Sequence, residues 1–246
     1  MQLNDRRRYF HASITSPDTN LSIQTPMSLT KKLTLVLVTA AAACIVRADV
    51  SATADSVGTI GQRYGELSFT DQSIKHVSSN AYDGELGFNL PVFKHLDLGA
   101  SYTYGWFKFN NQILHSNIVQ ADATAYTTLA GVKPFASAAV GYEFDRTTSG
   151  TTLVRAHFGV WSATVGVEIP VQAAAITPFV SYQDDFRNSA NSSQAFEFGV
   201  EANYWFTAKW AVFDTSWGVF ADAGYQDQMH SSFDAWDWTV GLRRKF

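Results

Sequence analysis

Cysteine is almost missing from this chain. Of 246 residues only Cys44 carries a thiol, and it lies in a stretch expected to be removed. A mature chain without cysteine holds no disulfide, no thiolate ligand and no cysteine nucleophile. Charge is scarce too: 16% of residues are Asp, Glu, Lys or Arg, where soluble domains average about 25%. What charge there is falls unevenly. Six of the 18 basic and two of the 22 acidic residues lie in the first 48 positions, so the remainder carries a net −8. That remainder lacks the basic face of a nucleic-acid binder, and no nucleic-acid partner is expected. After residue 48 there is no long apolar run, which excludes a spanning helix of about 20 residues there. Phosphate-cradling glycine loops, zinc-ligand clusters and nucleophile elbows are absent from the sequence, so neither cofactor nor metal is expected.

The one apolar run falls near the start. Residues 27–48 read MSLTKKLTLVLVTAAAACIVRA. Lys31 and Lys32 form a positive lead, Leu33 to Val46 an apolar stretch too short to span a bilayer, and Val46-Arg47-Ala48 a cleavage site before Asp49. Residues 1–48 are therefore expected to be an export region, cleaved from the mature chain. Residues 1–26 are polar and aperiodic, and Met27 is the expected true start. Ala41-Ala42-Ala43-Cys44 weakly resembles a lipoprotein box but lacks its leading Leu, and ordinary cleavage is preferred. Residues 49–60 read as a short N-terminal segment.

From residue 61 to 246 the chain alternates. Strict apolar/polar alternation marks a strand with two unlike faces. Tyr82, Gly84, Leu86, Phe88 and Leu90 alternate with Asp83, Glu85, Gly87 and Asn89. Leu96, Leu98, Ala100, Tyr102, Tyr104 and Trp106 alternate with Asp97, Gly99, Ser101, Thr103 and Gly105. The same pattern runs through 136–145, 161–169, 196–204 and 236–243, and less regular strands are expected near 61–70, 121–132, 176–186 and 210–222. Connections also alternate. Short ones fall at Pro91–His95, Lys133–Pro134, Pro170–Ala175 and Thr207–Lys209; long ones at Asp71–Asn80, Lys108–Gln120, Thr147–Thr151, Asn188–Gln194 and Gln226–Ser231. Short turns at one end and long loops at the other suit an antiparallel up-and-down transmembrane β-barrel. The count is ten strands, with both termini on the short-turn side, or eight if the weak first pair lies outside. About ten residues at ~3.3 Å each, tilted near 40°, rise ~25 Å, the height of the apolar band.

A soluble sandwich or lipocalin-like barrel would turn the apolar set inward. Against it stand polar faces rich in Gly, Ser and Thr with only scattered charge, and large aromatics on nearly every apolar face. The all-β membrane barrel is therefore the expected fold, and its lumen is expected to hold a polar network of Asp83, Glu85, Asp97, Glu143, Glu168, Glu197, Glu201, Asp237 and Arg243, with Asp145 and Lys245 beside it. Rings of carboxylates would favour cations in a pore; narrow barrels are more often packed solid. Intrastrand glycines mark tight interior packing.

The ending Trp236-Asp-Trp238-Thr-Val240-Gly-Leu242-Arg-Arg-Lys-Phe246 resembles the C-terminal signature of bacterial outer-membrane β-barrel proteins. The resemblance implies that Trp238, Val240, Leu242 and Phe246 are read by the barrel-assembly machinery; Arg244 departs from the apolar pattern. Leu96 to Tyr104 and Pro134 to Tyr142 resemble small porin-like and opacity-type barrels. These families imply a location in the outer membrane of a Gram-negative cell and contact with its lipid. They do not imply one activity, since they include adhesins, pores, structural proteins and enzymes. The expected role is structural or surface-interacting without catalysis, with a small cation-preferring pore as the alternative and a rim-sited enzyme, a lipid- or peptide-hydrolysing barrel, as the second. Rim candidates for chemistry are His115, His157 near Arg155, and Asp184-Asp185. The last two, being adjacent on a strand, should point to opposite faces.

Overall fold

A computed structural model describes residues 57–77, 79–109, 112–150, 152–187, 194–208, 215–229 and 234–246. The export region, residues 49–56, and parts of the expected 188–194, 207–209 and 226–231 connections lie outside these residues. The described chain forms ten strands: β1 Tyr64–Ile74, β2 Ala81–Phe93, β3 Leu96–Phe109, β4 Gln112–Tyr126, β5 Lys133–Ser149, β6 Thr152–Val171, β7 Ala174–Asp185, β8 Ala195–Ala208, β9 Thr215–Gln228 and β10 Ala235–Lys245. Each pairs antiparallel with its sequence neighbours, and β1 pairs with β10 from Tyr64↔Lys245 to Ile74↔Ala235, closing the barrel. The weak first pair of strands belongs to the wall, so the count is ten and not eight. Closure leaves no sheet edge through the body of the barrel, which lets the backbone satisfy itself without water.

Alternation decides which face goes where. Leu86, Trp238 and Val240 are 58%, 62% and 57% exposed on the outer wall, while Asp97, Asp237 and Arg243 are 0% exposed inside. Apolar residues face out and polar ones face in, the reverse of a soluble barrel. No described helix is long and apolar enough to cross a membrane. Outward aromatics gather toward the end opposite the termini, where Phe69, Tyr82 and Trp106 stack in series, Trp161 meets Tyr182, and Tyr225 meets Trp236. Such rings, apolar with a polar tip, favour the edge of the hydrocarbon layer.

The strand ends differ from the sequence expectation. Lys108–Gln120 is not a loop: β3 runs to Phe109 and β4 begins at Gln112. Thr147–Thr151 likewise is mostly strand. The turn expected at Lys133–Pro134 falls earlier, after Tyr126, and Pro170–Ala175 shrinks to the two residues between Val171 and Ala174. The physical reason is pairing. Polar residues such as Ser116, Asn117 and Thr148 read as loop by composition, but in a hairpin they keep full ladders, as Ser116↔Asp145 and Thr148↔Leu153 do. Consequently β6, at 20 residues, outruns its neighbour β7. Its register with β7 begins at Val160↔Asp185, and Gly159 O accepts from Phe186 N–H at 3.0 Å, so among the described residues the ladder from Thr152 to Phe158 is to β5 alone.

Inside, three phenylalanines cross three glycines. Phe135 sits opposite Gly166, Phe179 opposite Gly199 and Phe220 opposite Gly241. A Cβ on those glycines would come 2.6, 2.3 and 2.4 Å from the facing ring. The glycines let each ring lie flat across the neighbouring strand, which fills a narrow lumen without splaying its wall.

Candidate functional site: the lumen

All nine residues expected in the lumen lie inside the barrel and are buried. They do not form one network. Arg243 anchors the first group near the short-turn end. Its Nε donates to Glu66 Oε2 at 2.8 Å, Nη1 and Nη2 donate to Glu201 Oε1 and Oε2 at 2.7 and 2.8 Å, and Nη1 also reaches Asn203 Oδ1 at 3.2 Å. The guanidinium lies 3.8 Å from the centre of the Phe220 ring. The fork geometry of Arg suits this bidentate hold, and two carboxylates offset the cost of burying one cation.

Glu168 and Asp97 belong to a second group, built around a segment of the chain itself. Val57 to Gln62 enters the lumen below β1. Thr59 N–H and Oγ1 donate to Glu168 Oε2 at 2.6 and 3.0 Å, and Ile60 N–H donates to the same oxygen at 3.2 Å. Gly61 N–H donates to Asp97 Oδ2 at 2.7 Å. In return Lys133 Nζ donates to Ile60 O at 2.9 Å, Asn89 Nδ2 to Gln62 O at 2.8 Å, and Trp205 Nε1 to Gly58 O at 3.1 Å. The Ile60 side chain, 0% exposed, packs on Phe135, Phe179 and Tyr126. Gly58 permits the approach, since a Cβ there would meet Glu168 Oε1 at 1.8 Å, and Gly61 adopts φ +78° against Tyr126. This segment is a plug whose irregular backbone is satisfied by wall side chains, as a buried loop requires.

The rest of the expected set lies higher. Glu85 accepts from Thr103 at 3.2 Å, and Glu143 accepts from Ser116 at 2.8 Å. Asp83, Glu197 and Asp237 line the same middle stretch, as do Asp122, Asp222 and Gln226, which the sequence reading left out. Toward the outer end Ile74, Ala81, Phe107, Leu114 and Ala235 form an inward apolar cluster, and Ile118, Phe158 and Val160 form another. Among the described residues no group of three His, Cys, Asp or Glu is placed to hold a metal ion.

The plug and Glu66 escaped the sequence reading. Residues 49–60 have no periodicity, and the plug's partners lie on distant strands. The available signal was the surplus of inward carboxylates over the whole barrel, eight in the expected set against Arg243 as its one cation. The remaining candidates divide between the two faces, with Lys245 and Asp185 on the inner one. Trp238, Val240, Leu242 and Phe246 form an exposed outer stripe. Arg244 lies over the Trp217 ring and Lys245 over the Trp205 ring. His115 is bonded to Tyr104 at 2.7 Å and His157 lies beside Tyr142. Asp185 turns inward with Arg187, and Asp184 outward toward Tyr182 and Gln194.

No protein-family model matches the chain, and no curated protein matches it. Solved structures do. The translocator domain of the autotransporter NalP from Neisseria meningitidis is 10% identical, with a TM-score of 0.45 over 86% of this chain and 98% of that one. Neisserial surface protein A is 11% identical, with a TM-score of 0.41 over 75% and 96%. An outer-membrane channel of Pseudomonas putida F1 is 10% identical, with a TM-score of 0.43 over 80% and 100%. At such distances the functional argument rests on this barrel's own chemistry.

Proposed function

We propose that this chain is an integral protein of a bacterial outer membrane with a structural or surface-interaction role, held in place by its apolar outer wall and filled inside by polar side chains and its own plug. One observation carries the reading: the wall is apolar outside and the lumen is occupied at both ends. The outward Trp238, Val240, Leu242 and Phe246 stripe is the candidate signal for the barrel-assembly machinery. The interaction surface is the β5–β6 hairpin, where every residue from Thr152 to His157 is exposed and where, among the described residues, the β6 edge from Thr152 to Phe158 pairs only with β5 and offers its other backbone groups to an extended partner.

The test combines cell fractionation, gel mobility and conductance. The full chain should sediment with outer membranes, and its unboiled form should migrate differently from the boiled one. In planar bilayers it should not conduct. A soluble periplasmic chain with unchanged mobility would refute the membrane barrel.

The carboxylate-rich middle stretch favours one second reading, a small cation-preferring pore opened when the plug withdraws. A chain lacking Val57–Gln62 that conducts cations, beside a silent full chain, would establish it. Enzyme chemistry has less support, because His115 and His157 are engaged by tyrosines on the outer wall rather than converging with a carboxylate.

A further inference from the structure

The outward face of β3 to β6 is ordered in rows. Register places Tyr104, Asn117, Phe144 and His157 side by side, and the next row outward holds Trp106, His115, Arg146 and Arg155. Lys108 stands one step beyond, on the same face. The lower row is largely aromatic: Tyr104 stacks on His115, and Phe144 and His157 both touch Tyr142. The upper row is cationic. Arg146 and Arg155 are exposed and directly opposite each other, an arrangement that like charges disfavour unless an anion lies between them. Among the described residues neither guanidinium has an ion-pair or hydrogen-bond partner. The nearest outward carboxylate on β7, Asp184, sits opposite Trp161 and is bonded to Tyr182 and Gln194.

Successive outward residues on a strand are about 7 Å apart. Arg146 and Arg155 therefore stand in register with Trp106 and about 7 Å along the strands beyond Tyr104 and Phe144, at the aromatic edge of the hydrocarbon layer. That is the level of lipid headgroups, at the end away from the termini and so in the outer leaflet. We propose that Arg146 and Arg155, with His115 beside them, form a docking site for the phosphate of an outer-leaflet lipid. Two guanidinium forks can take one phosphate bidentately. With Tyr104 O–H donating to His115 Nδ1, Nε2 carries the ring proton and can donate to the same anion, and the acyl chains lie down the aromatic wall below. The chain's overall charge is −4, so diffuse attraction cannot draw in an anionic lipid; a preference must be local. This site rests on the membrane-barrel reading above.

The experiment uses the full chain folded in nanodiscs of equimolar phosphatidylcholine and phosphatidic acid, with heat-dependent gel mobility checking the barrel first. Mass spectrometry of released barrels then counts retained lipids. Retained phosphatidic acid should exceed phosphatidylcholine by about tenfold. The ratio should fall to near parity in Arg146→Gln/Arg155→Gln, fall only in part in Arg146→Lys/Arg155→Lys, which keeps the charge without the fork, and stay unchanged in Lys94→Gln, a control in the opposite turn. Equal enrichment in the Gln double variant, folded by the gel criterion, would overturn the site, and Arg155→Gln alone serves if the double variant does not fold. Phosphate adducts in phosphatidylcholine discs, without enrichment of phosphatidic acid, would identify free anion and overturn the lipid source. A chain with no heat-modifiable form would overturn barrel and site together.

Discussion

At the short-turn end the lumen is filled by charge and backbone; at the outer end it is filled by hydrocarbon. The first depends on Arg243, Glu66, Glu201, Glu168 and Lys133, each with a named partner. The second depends on Ile74, Ala81, Phe107, Leu114 and Ala235, which need only shape. The difference teaches which end tolerates change. Polar closure fixes one arrangement, because a lost partner leaves a buried charge or dipole exposed to its own desolvation cost. Apolar closure tolerates swaps of similar volume. The polar end is also where an aperiodic segment has to be held in one register, and directional bonds supply that.

The largest expected effect breaks the polar end at its centre. Glu201→Ala removes both acceptors of the bidentate pair and leaves Arg243 with Glu66 and Asn203. The expected loss is about 3–5 kcal/mol, read as a lower urea midpoint for the barrel refolded in vesicles. An unchanged midpoint would mean that Arg243 finds water, and that the lumen at this level is wet rather than packed.

Next comes the plug. Glu168→Ala leaves Thr59 and Ile60 N–H without their acceptor and should cost about 1–3 kcal/mol. It has a second readout that separates plug release from general weakening: trypsin should cut faster after exposed Arg63 while the gel shift persists. Equal cleavage in both proteins would show that the segment is held by Ile60 packing and not by its hydrogen bonds.

Much of this was legible in the sequence, and its gaps have physical causes. Two unlike faces followed from alternation, because period two is imposed by the pleat whatever the partner strand, and the outward turn of the apolar face followed from its large aromatics and from polar faces rich in Gly, Ser and Thr. Arg243 and Glu201 were legible as inward positions on well-patterned strands. Glu66 was not singled out, since β1 reads as a weak strand. The hairpin ends were misplaced for a similar reason: composition marks Ser, Asn and Thr as loop formers, while pairing across β3, β4 and β5 keeps them extended. Glu168 and Asp97 were placed in the lumen, but their shared role was invisible. It depends on a segment whose partners are distant in sequence and near only once the barrel closes.

Within the polar end, the Phe179–Gly199 pair should behave as packing alone. Gly199→Val would drive a side chain into the Phe179 ring, and overpacking of this kind costs about 1–3 kcal/mol. The same midpoint measurement checks it, and Gly199→Val combined with Phe179→Leu should recover part of the loss. No recovery would point to the backbone rather than the ring as the origin.

The smallest effect is expected at the outer end. Phe107→Leu keeps the cluster with Ile74 and Leu114 apolar and should cost less than about 1.5 kcal/mol. Phe107→Asn gives the sharper contrast. Buried among hydrocarbon, an amide without partners should cost more than the leucine by the desolvation of an unpaired polar group, about 1–3 kcal/mol. If leucine and asparagine lower the midpoint equally, water reaches Phe107, and hydrocarbon does not close that end. The difference between the two ends would then be one of wetness rather than chemistry, and the carboxylate-lined middle of the lumen would stand open to the outside.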